Sequence, residues 1–327
     1  MNIISVKNLC KCYKVMKRDS GFKSALKSFF KREYDVIEAV TDVTFTIKKG
    51  EIVGYIGPNG AGKSTTIKML SGILRPDSGD ILVNGMNPNK DRIKYVKEIG
   101  VVFGQKSQLW WDIPAIDSFD LLKEIYRIPD EEYTKTRDEL INLLELKEIV
   151  KMPVRQLSLG QRMKCELVAS LLHNPKILFL DEPTIGLDAV SKVVVRNFIK
   201  KINKEKKVTV ILTTHDMADI ETLTDRVIVI GNGRKLYDGN ILDIKKKYSN
   251  EKIVEIVYEN LEEIPKIKDT NIICNEGNTI RIKIDSKKTS VSDVTMQYAK
   301  VCEIKDINVI NKSIDDIIYK LYEEFKI

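Results

Sequence analysis

Gly57-Pro58-Asn59-Gly60-Ala61-Gly62-Lys63-Ser64 is the stretch that decides the fold. It fits the pattern G-x-x-x-x-G-K-[ST] of a phosphate-binding loop. The apolar run Ile52-Val53-Gly54-Tyr55-Ile56 precedes it and predicts a buried strand, and Thr65-Thr66-Ile67-Lys68-Met69-Leu70 follows and predicts a helix. Strand, glycine loop and helix together form the context in which the motif works. The glycines let backbone N–H groups turn toward one point, and the helix N-terminus adds its positive end. Lys63 can then reach the β- and γ-phosphates of a nucleotide, and the Ser64 hydroxyl can ligate Mg²⁺. The competing reading is a plain glycine-rich turn, and three further motifs argue against it.

The first is Ile177-Leu178-Phe179-Leu180-Asp181-Glu182, four apolar residues ending in two acids. This predicts a buried strand delivering carboxylates at its C-terminal edge, where ligands sit in open α/β sheets. Asp181 would hold Mg²⁺ through water, since that ion keeps several of its waters. Glu182 would act as general base on the attacking water. Alone, such a run can be only a strand end; after a phosphate-binding loop it carries more weight.

The second is Leu157-Ser158-Leu159-Gly160-Gln161. With the stretch from Gly54 to Thr65, it resembles the signature motif of ATP-binding cassette (ABC) ATPases, commonly LSGGQ. Leu159 stands where glycine is usual. Ser158 and Gly160, which make most of the phosphate contact in the family, are both present, so the departure bears on how the motif's helix packs. Ser158 also fits an ordinary N-cap for a helix from Leu159 to Leu172, and the two readings are compatible. The third motif is Thr213-Thr214-His215-Asp216, after the apolar strand Val208-Thr209-Val210-Ile211-Leu212. His215 is similar to the family's switch histidine, which contacts the γ-phosphate. The other histidine, His173, is expected at the surface.

The resemblance implies further positions. The residues around ATP would be Tyr13, Gly57, Pro58, Asn59, Gly60, Ala61, Gly62, Lys63, Ser64, Thr65 and Gln105. Catalysis would fall to Glu182, His215 and Lys63, and Mg²⁺ to Ser64, Gln105 and Asp181. Tyr13 would stack on adenine, or else pack on the sheet as a strand tyrosine. Ser158, Leu159, Gly160 and Gln161 would act on the ATP of a partner chain. Asp188, in Gly186-Leu187-Asp188, would touch that partner. The implied fold is α/β: an ABC ATPase core over 1–245 with a helical subdomain at about 107–172, plus a small C-terminal α+β domain over 246–327. The implied machine is a head-to-tail dimer, either a homodimer or a close-paralogue heterodimer, with two ATP–Mg²⁺ between its chains. It would drive a separate integral-membrane permease from the inner face of the membrane.

Composition agrees with a globular chain: 327 residues, 43% hydrophobic and 31% charged. No apolar run reaches the ~18 residues of a membrane span, and the start at Met1 lacks a signal-peptide core. Both point to the cytoplasm. The five cysteines are irregularly spaced and are expected to be reduced thiols. The formal charge of +7 is concentrated near the N-terminus, which argues against a broad nucleic-acid-binding face.

Within a basic insertion over 15–35, Phe22, Ala25, Leu26, Phe29 and Phe30 fall on one face of a helical pattern, with Lys23, Lys27 and Lys31 on another. Such a helix would lie against membrane or permease, or pack on the ATPase domain. The adjacent Trp110 and Trp111 cannot both point inward, so at least one should meet a partner or groove. Beyond Gly239, residues 251–258, 279–284 and 301–310 suggest strands and 290–299 and 313–325 helices, a regulatory or dimerising α+β domain whose mix of elements suggests a ferredoxin-like type. A single cassette with a small extra domain resembles ABC-2-type exporter ATPases. The alternatives are an importer subunit, or a soluble ABC ATPase acting in translation or DNA repair. The latter carry two cassettes or an inserted coiled coil, and neither is visible.

Overall fold

The computed structural model describes residues 1–16, 34–104, 106–248 and 251–325. Segment 22–30, most of the 15–35 insertion and Gln105 lie outside the described residues. The chain divides into two compact units, Met1–Gly239 and Asn240–Ile327. The division comes a little before the 245/246 boundary expected from the sequence, because the helix Ile241–Tyr248 groups with the second unit.

The first unit begins with two long strands, β1 (Asn2–Met16) and β2 (Tyr34–Lys48), antiparallel and paired out to Met16 and Tyr34. The ends of the expected insertion are therefore a β-ribbon. With β4 (Ser78–Val83) they form a three-stranded sheet in the order β2-β1-β4. A second sheet holds β3 (Ile52–Ile56), β5 (Ile99–Phe103), β6 (Ile177–Asp181), β7 (Thr209–Thr213), β8 (Arg226–Gly231) and β9 (Arg234–Asn240), in the order β5-β6-β7-β3-β8-β9. Its first five strands run parallel. Every residue of β6 and β7 is buried. Strands covered on both faces need such unbroken apolar runs. The β8–β9 hairpin turns at Asn232 and Gly233, both at positive φ, as a tight two-residue hairpin loop requires.

Helix α1 (Lys63–Leu70) lies between the two sheets. Its Ile67, Met69 and Leu70 share one core with Ile4, Phe45 and Ile47 of the antiparallel sheet and Tyr55, Phe179 and Ile211 of the parallel one. Each such burial stabilises by roughly 1.5–3 kcal/mol, so the start of α1 is held against two layers at once. After the short helix α2 (Arg92–Tyr95), the region between β5 and β6 is helical: α3 (Ala115–Tyr126), α4 (Asp130–Leu143) and α5 (Leu159–Leu171). Asp130, Glu131 and Glu132 in the first turn of α4 favour its start through the helix dipole. Helices α6 (Ala189–Lys206) and α7 (Met217–Leu223) follow β6 and β7.

The second unit contains α8 (Ile241–Tyr248), β10 (Glu251–Glu259), β11 (Thr270–Glu276), β12 (Thr279–Asp285), α9 (Val291–Tyr298), β13 (Glu303–Asn311) and α10 (Ile314–Glu324). Its sheet runs β11-β12-β10-β13, antiparallel throughout. This is the strand order of a split βαβ, ferredoxin-like fold. The first crossover, 260–269, has no helix, which fits Pro265 at its centre. Val254, Ile256, Tyr258, Ile280, Ile282 and Ile284 pack with Val294 and Tyr298 of α9 to form its core.

Candidate functional site

The C-terminal ends of β3, β6 and β7 meet at one cavity of about 370 Å³. Asn59, Ser64, Lys68, Gly104, Lys106, Asp181, Glu182, Ile185 and His215 are among its lining residues. Loop 57–62 reaches it because Gly62 takes φ +97 and because no side chain fits there: a Cβ would lie 2.2 Å from the Ala39 carbonyl oxygen. The Lys63 ammonium donates to the carbonyls of Gly57 (2.7 Å) and Pro58 (3.0 Å) and so borders the loop. Burial lowers the Lys63 pKa, opposed by the charges of Glu182 and Asp181.

Two hydroxyls, Ser64 Oγ at 3.1 Å and Thr213 Oγ1 at 2.6 Å, donate to Asp181 Oδ1. Ser64 and Asp181 therefore offer adjacent hard oxygen donors. Among the described residues no group of three or more His, Cys, Asp or Glu is placed to hold a metal alone. That donor set suits a hexacoordinate Mg²⁺ taking its remaining ligands from phosphates and water.

Glu182 sits at φ +57, an uncommon conformation for a side-chain-bearing residue. Its N–H is held by the Thr213 carbonyl at 3.0 Å and by Thr213 Oγ1 at 3.1 Å. The carboxylate is thereby aimed at His215, whose Nε2 lies 2.6 Å from Glu182 Oε1. Tyr13, on β1, places its hydroxyl 3.5 Å from Thr65 Oγ1, beside the first turn of α1, with about a third of the residue exposed.

Residues 40–185 match the family model of the ABC transporter domain. The linearmycin resistance ATP-binding protein LnrL of Bacillus subtilis is 33% identical over 71% of this chain and 74% of its own length. The methionine import ATP-binding protein MetN 2 of Enterococcus faecalis is 31% identical over 84% of this chain and 82% of its own.

The chain belongs to the ABC transporter ATP-binding family.

It is an ATP-binding subunit of an ABC transporter and an ATPase. A dimeric ATP-binding cassette, solved in a post-hydrolysis state with ADP and Pi, superposes with a TM-score of 0.61 and 28% identity, over 73% of this chain and 98% of that one. Two A family members of Dictyostelium discoideum match over 75% and 73% of this chain, which spans only 27% and 28% of their length.

The signature residues of this ABC cassette are not among those lining the cavity. Ser158 caps α5: its Oγ accepts from Gln161 N at 3.2 Å, and Gln161 Oε1 accepts from Ser158 N at 2.9 Å. This capping box leaves Ser158 exposed at a positive helix end. Gly160 packs on Ser191, where a Cβ would lie 2.7 Å from Ser191 Oγ. Leu159, where glycine is usual, seats on Gly186: a Cβ there would lie 2.7 Å from Leu159 Cδ2. The extra side chain is thus accommodated by the loop leading to Asp188. Asp188 caps α6 through Ser191 N (2.9 Å) and Ser191 Oγ (2.7 Å) and holds its carboxyl below the usual range chiefly through that N–H.

Some residues escaped the sequence reading. Asp219 is fully buried and accepts from Thr184 Oγ1 (2.5 Å), Thr214 Oγ1 (2.7 Å) and Arg196 Nε (2.5 Å), bracing the chain on either side of Glu182 and His215. Thr213, the shared anchor of Asp181 and Glu182, lies inside the quoted Thr-Thr-His-Asp motif. Lys68 and Lys106 add positive charge to the cavity wall. His173 is not the surface residue expected. It stacks on Tyr126 with ring centroids 4.0 Å apart, its Nε2 lies 2.9 Å from the Ile99 carbonyl oxygen, and burial lowers its pKa. No other polar group among the described residues reaches its Nδ1. Trp110 and Trp111 are 42% and 50% exposed, in keeping with the expectation that they cannot both point inward.

Proposed function

We propose that this chain is the ATP-hydrolysing motor of an export-type ABC transporter, acting as a head-to-tail dimer on a separate permease at the cytoplasmic membrane face. One observation carries the reading. Ser64, Asp181, Glu182 and His215 converge on a single cavity at the phosphate-binding loop, while Ser158 and its neighbours stand outside it. A phosphate in that cavity can meet a signature helix end only from a second chain, and a two-fold arrangement supplies both sites at once.

In this reading the N–H groups of loop 57–62 and Lys63 hold the β- and γ-phosphates, and Tyr13 stacks on the base. Ser64, Asp181 and Gln105 would hold Mg²⁺, which neutralises developing phosphate charge when bound. Glu182 orients the water and takes its proton, and His215 fixes that carboxylate and faces the γ-phosphate. Asp188 and the signature residues meet the partner chain. No helix among the described residues is long and apolar enough to cross a membrane, in keeping with a separate permease.

Dimerisation is tested by the dependence of specific ATPase rate on protein concentration. A two-chain site requires the specific rate to rise with concentration at high dilution. A rate per chain that stays constant down to the monomer overturns it. Export is supported by the relative named for linearmycin resistance, and import is the second reading, favoured by the relative named for methionine import. Loss of an exporter sensitises cells to a toxic cargo, whereas loss of an importer creates a nutrient requirement.

A further inference from the structure

The cavity and the signature helix are joined by a contact that no motif announces. Glu166, in the middle of α5, is 3% exposed. Its Oε1 accepts the Ser107 hydroxyl, and its Oε2 accepts the Gln108 N–H at 3.2 Å. Gln108 Nε2 in turn donates to the Glu166 carbonyl at 3.1 Å. Burial pushes the Glu166 carboxyl up, and the bonds from Ser107 and Gln108 pull it back. A buried carboxylate is retained only with such partners.

One turn earlier on α5, the Arg162 guanidinium lies 5.7 Å from the centre of the Trp111 ring. Trp110 N–H is held by Ser118 Oγ of α3 at 3.1 Å. The segment 107–111 leaves the sheet at the cavity, where Gly104 and Lys106 are part of the wall. Ser158 lies eight residues before Glu166 on the same helix, about 12 Å along its axis.

We propose that Glu166 is a positioning residue that clamps segment 107–111 to α5, so that ATP arriving in the cavity moves the signature end and the two tryptophans as one body. The inference rests on the function proposed above.

Trp110 and Trp111 are the chain's two tryptophans, so emission excited at the red edge of the spectrum, where tyrosine does not absorb, reports on this segment alone. The full chain is titrated with ATP and Mg²⁺ while emission is followed. Affinity is measured separately with a fluorescent ATP analogue. The parent should give a saturable emission change. Glu166→Ala should bind the analogue like the parent but lose the emission change, with kcat down about tenfold or more at unchanged KM. Glu166→Gln should restore much of both, because its amide oxygen can accept from Gln108 N–H and its NH₂ can donate to Ser107 Oγ. Should Glu166→Ala not fold, the Ser107→Ala/Gln108→Ala double variant, which removes the hydroxyl and side-chain amide donors but keeps the Gln108 N–H, should lose a large part of the emission change at unchanged analogue affinity, and a full parental response there refutes the clamp. The clamp is refuted by a parent emission that ignores ATP, by a Glu166→Ala response equal to the parent's, or by affinity, kcat and melting temperature falling together across the series. A parent that neither binds nor hydrolyses ATP overturns the proposed function instead.

Discussion

Replacing Glu182 by Gln separates the chemistry of the cavity from its architecture. The residue sits at φ +57 with its N–H bound by Thr213. Gln meets the same backbone penalty as Glu, on the order of 1–2 kcal/mol for either, so it cancels between the two proteins. The amide also keeps the shape of the carboxylate and can still face His215 Nε2, now 2.6 Å from Oε1. What Gln cannot do is accept a proton from water. A general base contributes ~10²–10⁴ in rate, or ~2.7–5.5 kcal/mol of barrier. Phosphate release should therefore fall by that factor, while nucleotide affinity and melting temperature stay near the parent's. ATP then persists at the cavity, so light scattering should show an ATP-dependent dimer that accumulates in the variant and turns over in the parent. Phosphate release at the parent's rate would remove Glu182 from the role of base. A rate loss matched by a fall in melting temperature would reassign it to structure.

Lys63→Ala should weaken ATP binding itself, since it deletes a buried ammonium beside the loop carbonyls. A charged hydrogen bond contributes about 1.5–3 kcal/mol, so affinity for a fluorescent analogue should drop about 10- to 150-fold, and equal affinity would sink the phosphate cradle. Ser158→Arg should leave nucleotide binding intact and stop turnover if, as proposed, the exposed N-cap acts on a partner's nucleotide; unchanged steady-state turnover would count decisively against the two-chain site. In the second unit, Lys312, Lys320 and Lys283 depress the Glu251 carboxyl to about 2. A folded pKa held below the unfolded value stabilises above the unfolded pKa, and that stabilisation is lost as pH falls from about 4.5 to about 2. Melting curves across that window should show the parent losing more stability than Glu251→Gln; parallel losses would contradict the lysine cage.

The parts of the fold that sequence made legible are those whose signal is contiguous. The run before Gly57 and the run before Asp181 each carry strand, turn and chemistry within about ten residues, so local patterning suffices to place them at a sheet edge. The helical character of 107–172 was readable for the same reason. The strand Thr270–Glu276 was not, because it lies at a sheet edge with Ile272 and Ile273 both exposed and shows no alternation. The ferredoxin-like order of the second unit agrees with the layout expected from its strands and helices, although the pairings themselves are reported by no local pattern and Pro265 interrupts the first crossover.

The larger omissions share one cause. Glu166 meets Ser107 across 59 positions, Thr184 meets Asp219 across 35, and His173 meets the Ile99 carbonyl across 74. Each is a polar group whose environment depends on a partner far along the chain. Glu166 lies at helical spacing among apolar neighbours and reads as one more surface acid. Only the packing of α5 against the segment after β5 makes it a buried anion with required donors. His173 likewise follows a helix and precedes Asn174-Pro175, which suggests a solvent-facing turn until Tyr126 is seen to cover its ring. Leu159 departs from the family pattern in sequence, yet in space it is matched by the missing side chain of Gly186. The residues of the phosphate-binding loop are thus specified by their neighbours in sequence. The residues that set the surroundings of the signature helix are specified by the fold.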